Sequence, residues 1–176
     1  NRVKELVTDY TSDYNRTIVG HSVGALYGYV SEGIIQSGDD YANYPKQNGK
    51  TPQPGDIKFA DSNSDGIINS NDRTIIGKTI PGFTYSLGFD ASYKNFDLNV
   101  FFYGVADYQI FNQQRATLSS MNTQDMDHNK LTEWAENYWT VDNPTTRYVR
   151  MDVANTNTND RISSFWIEDG SFLRVK

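Results

Sequence analysis

Apolar and polar side chains alternate through residues 83–111 more regularly than anywhere else in the chain. One set of positions reads Tyr85, Leu87, Phe89, Ala91 and Tyr93, and the intervening set reads Thr84, Ser86, Gly88, Asp90, Ser92 and Lys94. A period of two puts each set on one side of a strand, so the pattern predicts a strand with one apolar face. After Lys94-Asn95 it resumes with Phe96, Leu98, Val100, Phe102, Gly104, Ala106 and Tyr108 on one face. A two-residue hairpin loop sets Tyr93 opposite Phe96, which brings both apolar sets to the same side of the ribbon. Each limb carries about nine or more alternating residues, the length that crosses a bilayer when tilted. Tyr85 and Tyr93 bracket the first apolar run and Phe96 and Tyr108 the second, as interfacial aromatic girdles do. A soluble sandwich or lipocalin-like barrel alternates in the same way.

Other segments are less regular. Residues 55–59 and 171–176 alternate like short strands, and 131–139 has the i, i+3, i+4, i+7 apolar spacing of a helix carrying Trp134, Tyr138 and Trp139. Those aromatics are expected to pack, although aromatic faces can also stack on sugars. Gly20, Gly24 and Gly28 have helix-dimer spacing, but His21 and Ser22 interrupt it, which favours an extended segment. Residues 155–160 read Asn-Thr-Asn-Thr-Asn-Asp, a low-complexity tract expected to be a mobile loop tip. The Lys94-Asn95 turn is short, whereas the connections on the other side run over about 35–81 and 112–170. Transmembrane barrels have short periplasmic turns and long extracellular loops, so the long connections are expected outside.

The chain has 176 residues, a formal charge of −6, no cysteine, 37% apolar residues and 14% aromatics. It begins with Asn1, ends on a strand-like run and carries long polar tracts that build no evident core, so it reads as a piece of a larger protein. The acidic balance disfavours nucleic acid as a partner, because that needs clustered Lys and Arg. Without cysteine there is no disulfide or thiol chemistry. No apolar run approaches the roughly 18 residues of a membrane-spanning helix. His21 and His128 stand far apart with no second ligand at metal spacing, and His128 is expected on a polar loop face. No nucleophile elbow, phosphate loop or zinc signature is present, so an enzyme is not expected.

The strongest candidate chemistry lies at residues 61–72, D-S-N-S-D-G-I-I-N-S-N-D. Oxygen-bearing side chains fall at positions 1, 3, 5, 9 and 12 with glycine at 6, the layout of a calcium loop. Ca2+ takes six to eight oxygens, and a short loop supplies them only by wrapping around the ion. The metal set would be Asp61, Asn63, Asp65, the Ile67 carbonyl, Asn69 directly or through water, and Asp72. Asp72 stands where EF-hands carry Glu, and 55–59 before the loop is strand-like. The segment therefore resembles dockerin-type loops more than paired sensors. An Asx-rich turn that needs no metal would have a similar composition.

Taken together, several blocks resemble the SusC/RagA-type TonB-dependent outer-membrane transporters. They are Val19-Gly20-His21-Ser22-Val23-Gly24-Ala25-Leu26-Tyr27-Gly28-Tyr29-Val30, Gly33-Ile34-Ile35-Gln36, Gly55-Asp56-Ile57-Lys58-Phe59-Ala60-Asp61 and Asn71-Asp72-Arg73-Thr74-Ile75-Ile76-Gly77. Pro81-Gly82-Phe83-Thr84-Tyr85 with the hairpin, 134–139 with Asp142-Asn143-Pro144-Thr145, and 165–176 continue the series. The resemblance implies an all-β fold: a part of a 22-stranded antiparallel transmembrane β-barrel with long extracellular loops. It places residues 1–176 in the C-terminal part of that barrel, with the plug domain absent. It further implies import of glycan oligosaccharides or peptides across the bacterial outer membrane. The partners it implies are a SusD-like surface lipoprotein, the TonB energy-transducing complex acting through the missing plug, and outer-membrane lipid. The alternative is a soluble, calcium-stabilised β-rich module for carbohydrate binding or adhesion. Such a module must cover Leu87, Phe89, Leu98, Val100 and Phe102 with a second layer, whereas a transporter leaves them to lipid.

Overall fold

The computed structural model describes residues 2–12, 14–121, 129–154 and 156–176; His128, expected on a polar loop face, lies outside them. Strands dominate: β1 (Tyr10–Thr11), β2 (Asn15–Thr17), β3 (Ala25–Gly28), β4 (Ser31–Ile34), β5 (Lys46–Gln47), β6 (Ile57–Phe59), β7 (Ile67–Ile68), β8 (Thr74–Gly77), β9 (Phe83–Tyr93), β10 (Phe96–Ala106), β11 (Gln109–Phe111), β12 (Ile167–Asp169) and β13 (Phe172–Val175). Two short helices, α1 (Gln113–Leu118) and α2 (Thr132–Asn137), accompany them. None of the described helices is long and apolar enough to cross a membrane. The chain forms two compact units, one of Asn1–Leu26, Gly77–Ile110 and Ile167–Lys176, the other of Tyr27–Ile76 and Phe111–Trp166.

The first unit is built on an antiparallel sheet in the order β13-β10-β9. Tyr93 pairs with Phe96, Ala91 with Leu98, Phe89 with Val100 and Leu87 with Phe102, the register that the alternation predicts. Lys94 takes the left-handed conformation of the tight turn, at φ 54°. Opposite Tyr85 stands Gly104, where a Cβ would lie 2.4 Å from the tyrosine ring. The missing side chain thus lets the ring lie across the neighbouring strand. The terminal strand joins the ribbon through Phe102 with Val175 and Gly104 with Leu173. That register adds Leu173 and Val175 to the same apolar face. The face is uncovered in this chain: Leu87 is 64%, Phe89 54%, Leu98 55% and Leu173 56% exposed. On the other face Asn99 donates a side-chain hydrogen bond to Asp90, its direct cross-strand partner. The sheet is open, with β9 and β13 at its edges. It is all-β but not a closed barrel.

The second unit corrects the expectation that the polar tracts build no core. Ile34, Ile57, Phe59, Ile68, Ala116, Trp139, Val149 and Trp166 form one buried cluster. These residues are sparse in any local window and meet only after two long connections fold together. Pairing of β4 with β6 sets Ile34 beside Ile57. The helical spacing across 131–139 is realised only as far as Asn137, because Tyr138 turns extended at ψ 156° and Trp139 bridges to Arg150. Trp134 and Trp139 are 1% and 6% exposed, and their indole N–H groups donate to the Val149 carbonyl and to Gln36 Oε1. These two indoles are core, not a sugar platform.

The asparagine-rich tract departs further from expectation. Asn155 lies outside the described residues, but Asn157 and Asn159 are only 2% and 3% exposed. Asn159 Oδ1 accepts from the Ile57 amide at 2.9 Å, and its Nδ2 donates to Asp56 Oδ1 at 3.1 Å. A polar tract is buried here because its amides replace the hydrogen bonds that water would otherwise make to β6.

Candidate functional site

Residues 61–72 leave β6, turn sharply and return as β7 before a 3₁₀ turn at Ser70–Asp72. The first three predicted ligands wrap one set of backbone amides. Asp61 accepts from the amides of Asp65 at 3.2 Å and Gly66 at 2.7 Å, and Asn63 Oδ1 accepts from the Asp65 amide at 3.0 Å. Asp65 Oδ1 accepts from the Ile67 amide at 2.9 Å, and its Oδ2 from Asn63 Nδ2 at 2.9 Å. Hydrogen bonds from the Asn63 side chain, then from the Ile67 amide, hold the Asp65 carboxyl below its ordinary range. Gly66, at φ 81°, supplies the left-handed turn that position 6 requires. Asn69 Nδ2 approaches both the Ile67 carbonyl, at 3.4 Å, and Asp65 Oδ2, at 3.5 Å.

Asp72 stands apart from this group. It is fully buried, and its two carboxylate oxygens accept from the amides of Ser62 at 3.0 Å and Asn69 at 2.8 Å. Ser62 Oγ donates to the Asp72 carbonyl at 3.1 Å. Asp72 therefore ties the two limbs of the loop together and caps the 3₁₀ turn. Among the described residues no group of three or more His, Cys, Asp or Glu side chains is arranged to hold a metal. The donor set is all oxygen, which suits a hard cation. The structure brings Asp61, Asn63, Asp65 and Ile67 together, turns the Asn69 side-chain oxygen to the Asn71 amide at 2.8 Å, where it caps the 3₁₀ turn, and turns Asp72 toward backbone amides.

The loop is anchored below by groups that sequence reasoning missed. β5 and β7 run parallel, pairing Lys46 with Ile67 and Gln47 with Ile68, and the Lys46 amide donates to the Gly66 carbonyl at 3.1 Å. Asp56, 1% exposed, accepts from Arg150 Nε at 2.6 Å and from the Gln53 amide at 2.8 Å. Arg150 also donates to Asp152 Oδ2 at 2.9 Å. Burial pushes the Asp152 carboxyl up, but hydrogen bonds from Thr156 and the charge of Arg150 outweigh it and leave the group below its ordinary range. Asp56 and Arg150 are 94 residues apart, and no periodicity links them.

The sheet of the first unit is open with an uncovered apolar face, and in sequence it is flanked by the long connections, one of which carries the acidic loop. The chain is similar to TonB-dependent receptor P3 of Formosa agariphila, at 34% identity over 160 residues covering 89% of this chain and 15% of that receptor. It is also similar to TonB-dependent receptor P26 of the same organism, at 29% identity over 168 residues covering 94% of this chain and 16% of that receptor. Over most of its residues the chain thus matches a segment of TonB-dependent receptors, and it spans less than a fifth of either relative's length. No protein-family model matches the chain.

Proposed function

We propose that this chain is a segment of a TonB-dependent importer of the SusC/RagA type in a bacterial outer membrane. The observation that carries the reading is the bare apolar face shared by β9, β10 and β13. Its two long strands have 11 residues each, the length of a tilted transmembrane strand, and Leu87, Phe89, Leu98 and Leu173 stand uncovered on it. At about 25 cal/mol per Å2, such a face is costly in water and costless in lipid. The polar face, with Ser86, Asp90 and Asn99, would line the lumen. The whole protein would import glycan oligosaccharides or peptides with a SusD-like lipoprotein, powered by the TonB complex through a plug outside these residues. It carries out transport, not catalysis.

Within this reading the acidic loop holds Ca2+ on the outer surface. Asp61, Asn63, Asp65 and the Ile67 carbonyl would supply the near oxygens, Asn69 would act through a water because its own oxygen accepts from the Asn71 amide, and Asp72 would support them from its anchored position. The ion would be structural, offsetting the repulsion of the carboxylates and stiffening the loop, with affinity near the extracellular range of about 10⁻⁴ to 10⁻³ M. Asp65→Ala should abolish calcium binding and leave the hairpin intact; unchanged affinity would remove the ligand assignment. For the larger reading, mass spectrometry of the native protein from the detergent-extracted outer membrane is decisive. A parent several times larger than this chain, co-purifying with a lipoprotein, supports the importer. A water-soluble species of about 20.0 kDa would replace it with a free-standing module.

A further inference from the structure

The turn that follows β5 is an Asn-Gly pair with an arginine on its side chain. Gln47 and Lys50 exchange backbone hydrogen bonds at 2.8 and 2.9 Å. Asn48 and Gly49 between them both have positive φ, 50° and 74°, the conformation that favours Asn-Gly in a two-residue turn. The pair is exposed, and a Cβ on Gly49 would meet nothing within 4 Å. The Asn48 side chain is nonetheless fixed, its Nδ2 donating to Thr158 Oγ1 at 3.0 Å and its Oδ1 accepting from Arg161 at 3.2 Å. Arg161 lies over the Tyr29 and Phe59 rings, 4.8 and 5.0 Å from their centroids. Its other hydrogen bonds go to the Thr158 carbonyl at 3.3 Å, to Thr158 Oγ1 at 2.8 Å and to the Asn157 carbonyl at 3.4 Å. All of these acceptors are neutral, so a permanent cation set against two rings has hydrogen bonds but no carboxylate among them.

We propose that Asn48 is a deamidation site, at which Arg161 directs conversion of the amide to an aspartate that becomes its ion-pair partner. The Gly49 nitrogen is joined to the Asn48 backbone and can close a succinimide ring on Cγ once the Asn48 ψ angle turns, and glycine puts no side chain in the way. The bond from the Gly49 nitrogen to Cγ forms, the Cγ–Nδ2 bond breaks, and Nδ2 leaves as ammonia with the proton of the Gly49 amide. Water then adds to one of the two ring carbonyls and breaks its bond to nitrogen. In both steps the Arg161 hydrogen bond stabilises negative charge developing on Oδ1. During ring opening it therefore favours attack at Cγ, which restores the ordinary backbone and leaves an aspartate side chain. Attack at the other carbonyl gives isoaspartate, which adds a methylene to the main chain and disrupts the Gln47–Lys50 turn. The aspartate product keeps that turn and sets a carboxylate against Arg161, whatever the parent protein transports.

The intact parent protein, incubated in mildly alkaline buffer made with heavy-oxygen water and then digested, tests this. Mass spectrometry of peptides spanning 47–50 resolves the asparagine, aspartate and isoaspartate forms, and a synthetic peptide of residues 44–53, which lacks Arg161, is treated alongside. Heavy oxygen should enter at Asn48 in both, with aspartate in excess in the folded protein and isoaspartate in excess in the peptide. Arg161→Met, which keeps apolar bulk over the rings, should return the folded ratio to that of the peptide, a change of about tenfold. Absence of conversion in the folded protein after the peptide has converted overturns the proposal, and so does the peptide's own ratio in the folded protein. Asn48→Asp reads the ion pair separately. It should raise the urea midpoint for cleavage within Tyr27–Ile76, and the gain should vanish in the Arg161→Met background; an equal shift in both backgrounds overturns the pairing.

Discussion

Gly55→Ala isolates the packing that joins the two long connections into one unit. Gly55 sits at φ 89°, where the left-handed backbone costs an alanine about 1–2 kcal/mol. A Cβ there would also lie 2.6 Å from the Trp139 ring and 2.6 Å from the Arg150 Cβ. Neither neighbour can retreat: Trp139 is 6% exposed in the core, and the Arg150 Cβ is fixed to its own backbone. The glycine itself is held on both sides, its amide donating to the Ile35 carbonyl at 2.8 Å and its carbonyl accepting from the Arg150 amide at 2.9 Å. Overpacking of this kind costs about 1–3 kcal/mol, so the total is about 2–5 kcal/mol. Gly49→Ala is the control, since Gly49 has φ 74° and no atom lies within 4 Å of where the new Cβ would stand. It should lose only the backbone share, about 1–2 kcal/mol. Pulse proteolysis in urea of the intact protein, scored by cleavage within Tyr27–Ile76, gives both values. Equal losses for the two variants would refute the packing of Trp139 against Gly55.

Three other outcomes are expected. Leu98→Arg should destabilise the sheet by about 2–4 kcal/mol if its face meets the bilayer midplane, while Asn99→Arg on the opposite face is tolerated; equal shifts in heat-modifiability on gels would reject the lipid-facing assignment. Asp72→Asn should weaken the loop by about 1–3 kcal/mol even in chelator, because a buried carboxylate oxygen that ties two limbs is lost, whereas the loss from Asp65→Asn, whose carboxylate accepts from Asn63 and the Ile67 amide, should grow when calcium is added. Asp65 has a folded pKa below its ordinary 3.8, so its contribution to loop order is complete above 3.8 and fades as pH falls through the lower folded value; loss of protection at the Ile67 amide well above that pH would exclude this carboxylate as the cause.

What is legible in the sequence is local. The Tyr93–Phe96 pairing follows from a period of two and a two-residue turn, and the Asx loop follows from oxygens spaced within a few residues of one glycine. In both cases the partners that set the geometry are near in sequence, so pattern and structure share one scale. The buried asparagines mislead for the opposite reason. A repeat of small polar residues looks like a solvated tip until β6 and the Asp56 just before it, about a hundred residues away, present an amide, a carbonyl and a carboxylate that such side chains match. The same distance hides the Asp56–Arg150 pair and the indole of Trp139. Asp72 combines both cases: its spacing marks it as a ligand, while its burial and its bonds to Ser62 and Asn69 make it a strut. If calcium binds, the ion therefore meets a loop whose limbs Asp72 already holds, and binding would change the order of the 61–67 turn more than that of the unit beneath it.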